Sequence, residues 1–164
     1  MAGSHGLATD YAHTVVSLRP ITDANRDAVE GLAVAPAQRR FVSSVRDSLL
    51  EAAQEPGAQA LTWAIYDDEI PVGFVMIADE VAGPDYIPQF LWKLLIDARY
   101  QRRGRGTAAL DLIVDYFRRR GASALTTSAG EREGSPIAFY ERYGFERTGE
   151  LHGNEVVLRL AISP

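Results

Sequence analysis

The chain has 164 residues, enough for one domain with a sound core, and its 46% hydrophobic content is ordinary for a globular protein. It carries no cysteine, which excludes disulfides, thiolate metal sites and a cysteine nucleophile and fits a cytoplasmic setting. A net charge of −5 without a basic face argues against a nucleic-acid binder, and no apolar run approaches the ~18 residues of a membrane span.

Residues 1–13 are Gly-, Ala- and His-containing and lack the apolar stretch of a signal peptide, so they read as a flexible leader, with Gly3-Ser4-His5 as a cloning remnant. Thr14 to Leu18 reads as a first strand and Thr22 to Leu32 as a helix. Ala35-Pro36 opens a longer helix, since proline suits a first turn, with Phe41, Val45, Leu49 and Ala52 as its stripe and Glu55-Pro56-Gly57 as its end. Leu61 to Tyr66 and Val72 to Ala78 form a hairpin across Asp67-Asp68-Glu69, followed by a polar loop from Glu80 to Pro88. Leu91 to Ile96 is nearly all apolar, as a strand covered on both faces requires. A basic, two-glycine turn leads into a helix with Leu110, Ile113, Val114 and Phe117 on one stripe and Asp111, Asp115, Arg118 and Arg119 toward solvent. Gly121 ends it. Leu125 to Ser128 is a fifth strand, and Ser135-Pro136 starts a short helix through Tyr143, closed by Gly144. Phe145 to Leu151 and Glu155 to Leu160 complete a hairpin about His152-Gly153-Asn154. One domain over residues 14–162 is expected, without repeats or linkers.

The turn carries the chemistry. A helix start offers unpaired N–H groups and the positive end of the helix dipole, and glycines let an anion approach the backbone. The plain alternative is that Gly104 and Gly106 only shape a turn whose arginines are solvated. Gly104-Arg105-Gly106-Thr107-Ala108-Ala109 also fits G-x-G-x-x-A, but a dinucleotide fingerprint needs its first glycine at the strand end and an acidic residue about 20 residues on. Here Asp97 to Arg103 intervene and Thr126 to Ala129 holds no carboxylate. A Walker A loop fails for want of Gly-Lys-Ser/Thr. Taken alone, Phe139 and Tyr140 read as core aromatics under a short helix.

Gln101-x-x-Gly104-x-Gly106 resembles the Q/R-x-x-G-x-G/A signature of the GNAT superfamily of acyl-CoA-dependent N-acetyltransferases. The resemblance implies an α/β fold of the α+β kind: a mixed, mostly antiparallel central sheet flanked by helices, split between its fourth and fifth strands. The element order β-α-α-β-β-β-α-β-α-β-β agrees with it. It implies acetyl-CoA as cofactor, with the pyrophosphate held at Arg102, Arg103, Gly104, Arg105, Gly106 and Thr107, and Gln101 as a further cofactor-binding residue. Pantetheine contacts fall on the backbone of Leu94 and Ile96, and the Leu94 amide polarises the thioester carbonyl. Gly134 to Phe145 resembles the family's A-x-x-F-Y-E-K-L-G-F segment, which makes Tyr140 a coenzyme contact and the proton donor to the departing thiolate. Tyr143 stands where the family has leucine and reads as packing; Ser135-Pro136 stands near a missing asparagine.

The general base is open: Gln89 to Ile96 holds no carboxylate, and Asp79, Glu80 and Asp85 flank that strand. His5 and His13 sit in the loose start and His152 in a hairpin turn, so neither a metal cluster nor a Ser-His triad can be built from them and no metal is expected. Phe90 to Gln101 resembles the L-W-R-L-L-I-D-x-x-Y-Q block of bacterial spermine/spermidine acetyltransferases, and Gly134 to Glu150 resembles their G-S-P-x-x-F-Y-x-x-L-G-F-x-x-T-G-E. That implies a small polyamine partner, with Asp79, Glu80, Asp85, Tyr86 and Trp92 as its contacts through charge and cation–π attraction. Rival readings are another amine (an aminoglycoside-like drug, an amino acid or a protein N-terminus) and a non-catalytic acyl-CoA module. Dimers are common in the family, so a homodimer is an expectation.

Overall fold

The computed structural model describes residues 15–164; Thr14, His5, His13 and the expected leader lie outside them. Seven strands, β1 (Val16–Arg19), β2 (Ala60–Asp67), β3 (Ile70–Ala78), β4 (Phe90–Ile96), β5 (Ala124–Ala129), β6 (Glu146–His152) and β7 (Glu155–Ala161), form one sheet in the order β1-β2-β3-β4-β5-β7-β6. Every neighbouring pair is antiparallel except β4 and β5. Four helices flank it: α1 (Arg26–Glu30), α2 (Val45–Gln54), α3 (Arg105–Arg119) and α4 (Ile137–Tyr143). No described helix is long and apolar enough to cross a membrane.

Strand β4 is the pivot. It pairs with β3 along its length but with β5 only at Phe90–Thr126 and Leu91–Thr127. Beyond Leu91 the two parallel strands diverge, and the sheet is split. The β3–β4 register also slips: Leu91 pairs with Ile77 and Lys93 with Met76, leaving Trp92 as a bulged extra residue. The bulge puts two successive side chains on one face. Trp92 packs beside Met76 and Leu95, and Lys93 points toward α2, while Leu91 and Leu94 face the opposite core. At Gly73 any Cβ would collide with the Leu95 carbonyl oxygen, so glycine is what permits the close β3–β4 approach.

Helix α3 buries Ala109, Leu110, Ile113, Val114 and Phe117 on one sheet face, together with Tyr140 and Phe145 from the α4 region. Burying each large apolar side chain contributes roughly 1.5–3 kcal/mol. The opposite face is covered by Val29, Leu32, Val34 and Val45 against Phe74, Met76 and Leu95.

Two helices differ from expectation. The first spans only Arg26–Glu30, because residues 22–25 close a turn: Asn25 accepts from the Thr22 amide and donates to the Pro20 carbonyl. The second does not start at Ala35-Pro36, where residues 36–38 make one 3-10 turn. It starts at Val45, because Ser44 Oγ accepts from the Asp47 amide and caps it. Phe41 therefore leaves the helical stripe and packs beside Gly130 and Gly134.

Candidate active site

The turn before α3 places Arg102 and Gly104 at positive φ, 63° and 78°. Gly104 caps α3, and the first internal helical bond runs from the Ala108 amide to the Gly104 carbonyl, which leaves the preceding N–H groups of the first turn free to meet an anion. Arg102 and Arg103 are exposed, and their guanidinium groups have no hydrogen-bond partner among the described residues. Arg105 differs. Its Nε donates to Asp67 Oδ2 at 2.7 Å, and an Nη donates to the Tyr100 carbonyl, with both members of the ion pair 15% exposed. The Arg105 side chain is thus committed to the fold, and only its backbone faces the turn. Gly106 and Thr107 lie in the first turn of α3, with Gly106 passing close to Phe139 and Ile96.

The edge of β4 from Trp92 to Ile96 has no β5 partner, so the backbone at Leu94 is open along the split. At Ile96 the carbonyl is taken: Gln101 Nε2 donates to it at 2.8 Å and also to Gln38 Oε1 at 2.8 Å. Gln101 therefore braces the turn and ties it to the segment before α2. Asp97 makes a second tie. It accepts from the Ala33 amide at 2.9 Å and from the Arg99 amide and Nε. Burial alone would push this carboxyl up; Arg99 and the two amides outweigh that and hold it below the ordinary carboxylate range.

Tyr140 is 6% exposed and packs edge-on against Phe139 and Phe145. Burial pushes its pKa up to about 12, opposed by a hydrogen bond with Thr127. Thr127 is the last β5 residue paired to β4 and donates to the Leu91 carbonyl. The phenol thus sits at the apex of the split. Tyr143 donates to Asp111 Oδ1 at 2.7 Å and links α4 to α3. Ser135, near the place of the missing asparagine, donates to the Gly130 carbonyl and accepts from the Ile137 amide, so it serves the start of α4.

The α2 face of β4 carries a cavity of about 450 Å³ lined by Glu51, Glu55, Asp85, Tyr86, Phe90 and Trp92 among others. Asp85, Tyr86 and Trp92 all line it. Tyr86 lies over Gly57 and donates to Glu55 Oε2 at 2.6 Å, which anchors the 80–88 loop on the end of α2. Asp79 and Glu80 are elsewhere. Strand alternation turns Ala78 into the cavity and Asp79 to the other face, where it pairs with Arg120 and accepts from Tyr116; Glu80 also bonds Arg120. Those two carboxylates hold the end of α3. In their place the cavity gains Glu51 of α2, 3.1 Å from Lys93, and Glu55, the residue that caps its C-terminus. Sequence reasoning missed them because the helix stripe marks only its buried side. His152, set aside as a turn residue, also lines the cavity beside Phe90. Among the described residues no group of three or more His, Asp or Glu is placed to hold a metal ion.

The sequence profile of the Acetyltransferase (GNAT) family matches residues 41–145. Over 154 residues the chain is 27% identical to the spermine/spermidine N(1)-acetyltransferase of Bacillus subtilis (strain 168), covering 88% of this chain and 97% of that one. A 55-residue stretch is 34% identical to the ribosomal protein bS18-alanine N-acetyltransferase of Escherichia coli (strain K12), covering 34% of this chain and 37% of that one. The PaiA N-acetyltransferase of Thermoplasma acidophilum, solved in complex with coenzyme A, superimposes with a TM-score of 0.64 at 12% identity, covering 90% of this chain and 99% of that one.

Proposed function

Since this chain belongs to the GNAT acetyltransferase family, an acetyl-CoA-dependent N-acetyltransferase acting on amines, we propose that its acceptor is a small polycation of the spermidine or spermine kind. The observation that supports this most is the cavity on the α2 face, where three carboxylates, Glu51, Glu55 and Asp85, meet the rings of Tyr86, Phe90 and Trp92. An extended polyamine presents several ammonium groups separated by methylene runs. Carboxylates suit the former, and aromatic faces suit both through cation–π attraction and apolar contact. The relative from Bacillus subtilis, named for spermine and spermidine, favours the same acceptor.

The residues fit acetyl-CoA by the chemistry of their donors: free amides at the start of α3, the unpaired Arg102 and Arg103 beside them, and an open β4 edge that an extended arm joins as a strand would. Arg102 to Thr107 would hold the diphosphate and Leu94 the thioester end. The bound coenzyme supplies an acetyl group activated as a thioester. The Leu94 amide serves as the hydrogen-bond donor to the carbonyl oxygen. Tyr140, with a pKa of about 12, is a far weaker acid than a thiol, whose pKa is about 8.5. Its O–H therefore stays in place at neutral pH and donates a hydrogen bond to the departing sulfur.

The test is a panel of amines assayed by thiol release at saturating acetyl-CoA. Spermidine and spermine are expected to exceed an aminoglycoside, free amino acids and an alanine-terminated peptide by about tenfold or more in kcat/KM. Inertness toward both polyamines, with turnover of any other arm, overturns the acceptor assignment.

A further inference from the structure

A direct attack by an amine needs a proton acceptor, and β4 has no carboxylate to supply one. Glu51 is paired with Lys93, and Asp79 with Arg120. A different carboxylate stands one strand from the split, on β7, across β5 from β4. Glu155 opens β7, is half-buried, and accepts from Ser128 Oγ at 2.7 Å. Ser128 directly follows Thr127, where the β4–β5 pairing stops, so it is the first β5 residue on the diverging limb. Its side chain alternates away from Leu125 and Ala129, which face the α3–α4 core, and so lies on the side of the sheet opposite Tyr140. Glu155 also lines a second cavity of about 360 Å³, closed by Arg40 and Phe41 from the segment before α2 and by Gly130 at the end of β5.

We infer that Glu155, held by Ser128, accepts through water the proton which the acceptor ammonium, seated in the α2-face cavity that adjoins at His152, loses before attack. The inference rests on the acetyl-transfer reading. In the step one N–H bond breaks with its electron pair left on nitrogen, and an O–H bond forms on the Glu155 carboxyl. That proton then passes to solvent, so each turnover releases one proton. The need is real: with an amine pKa of about 10.4, fewer than about one acceptor nitrogen in a thousand is free base at pH 7. Charged and titratable groups face Glu155 from each neighbouring element. They are Arg40 before α2, Glu131 and Arg132 after β5, His152 opposite it on β6, and Tyr140 across β5, which feels its charge. Glu131 is paired with Arg147, and Arg40 donates to the Glu133 carbonyl.

The experiment compares wild type, Glu155→Gln and Glu155→Asp between pH 6 and about 10, the upper limit being set by the amine's own pKa. It uses the best amine of the panel and adds calorimetric Kd values for acetyl-CoA and for that amine on the CoA complex. The Gln variant should lose about a hundredfold in kcat near pH 7 and recover steadily as pH rises, because solvent then supplies free amine. Its two Kd values should stay within about threefold, and the Asp variant should keep most of the activity. A Gln variant with wild-type kcat, or one whose loss is the same at every pH, overturns the assignment. So does a loss confined to amine Kd, which would make Glu155 a binding charge. If the acetyl-transfer reading itself is at fault, wild type already releases no thiol with any amine, and that result precedes the variants.

Discussion

Arg105 Nε donates to Asp67 Oδ2 at 2.7 Å, joining the start of α3 to the β2–β3 hairpin and removing one of three turn arginines from ligand contact. The three arginines should therefore separate by assay. Arg105→Ala leaves Asp67 unpaired and is expected to cost about 3 kcal/mol of stability, at the lower end for a buried pair because both groups keep some exposure. The Arg102→Ala/Arg103→Ala double variant should melt like wild type yet bind acetyl-CoA at least about tenfold more weakly, with a reduced salt dependence. Calorimetry and thermal melts check both.

Asp97 clamps the end of β4 to Ala33 and Arg99. Its folded pKa lies below the unfolded value, so the stability it contributes is present above about pH 4 and is lost as pH falls through the folded pKa. Asp97→Asn should lower stability by about 2 kcal/mol at pH 7. The gap to wild type should close in acid denaturation below about pH 4.

Tyr140 should show two separable effects. Tyr140→Phe is expected to lower kcat by about ten- to a hundredfold while acetyl-CoA affinity stays within about twofold. Because its folded pKa, about 12, exceeds the unfolded value near 10, its contribution is intact below about pH 10 and fades as pH climbs through about 12. Wild type should thus lose up to about 3 kcal/mol over that alkaline window, and the Phe variant should lack this component in denaturant melts.

Carboxylates on the two faces of the sheet should behave differently. Glu51→Gln and Glu55→Gln are expected to raise KM for spermidine by about three- to tenfold each; Glu55→Gln should barely change melting, whereas Glu51→Gln also takes the ion-pair partner from the largely buried Lys93 and should lower it. Asp79→Asn should leave that KM unchanged and destabilise the fold by about 2 kcal/mol, because it leaves Arg120 with Glu80 alone and weakens the bond from Tyr116 at the end of α3. Steady-state kinetics beside thermal melts distinguish the two patterns.

Much of this architecture is legible in the sequence alone. The apolar run at β4, the α3 stripe and the Gly104–Gly106 turn each depend on spacing within a few residues, and all three stand where they were expected. The start of α2 was misplaced because Pro36 is as good a helix opener as Ser44 is a cap, and only the packing of Phe41 against Gly130 and Gly134 separates them. Glu51, Glu55 and Glu155 went unnoticed because a carboxylate on or beside a helix or hairpin carries no local mark of what it faces.

By itself the sequence determined the family-defining strand, turn and helix, since local periodicity and the backbone freedom of glycine are properties of neighbouring residues. Only the tertiary structure decided which charges line the cavity on the α2 face. That depends on the bulge at Trp92, which sets the face of each side chain along β4, and on ion pairs between residues far apart in the chain, Asp79 with Arg120 and Arg105 with Asp67. Such pairings follow from three-dimensional packing, and no spacing along the chain encodes them.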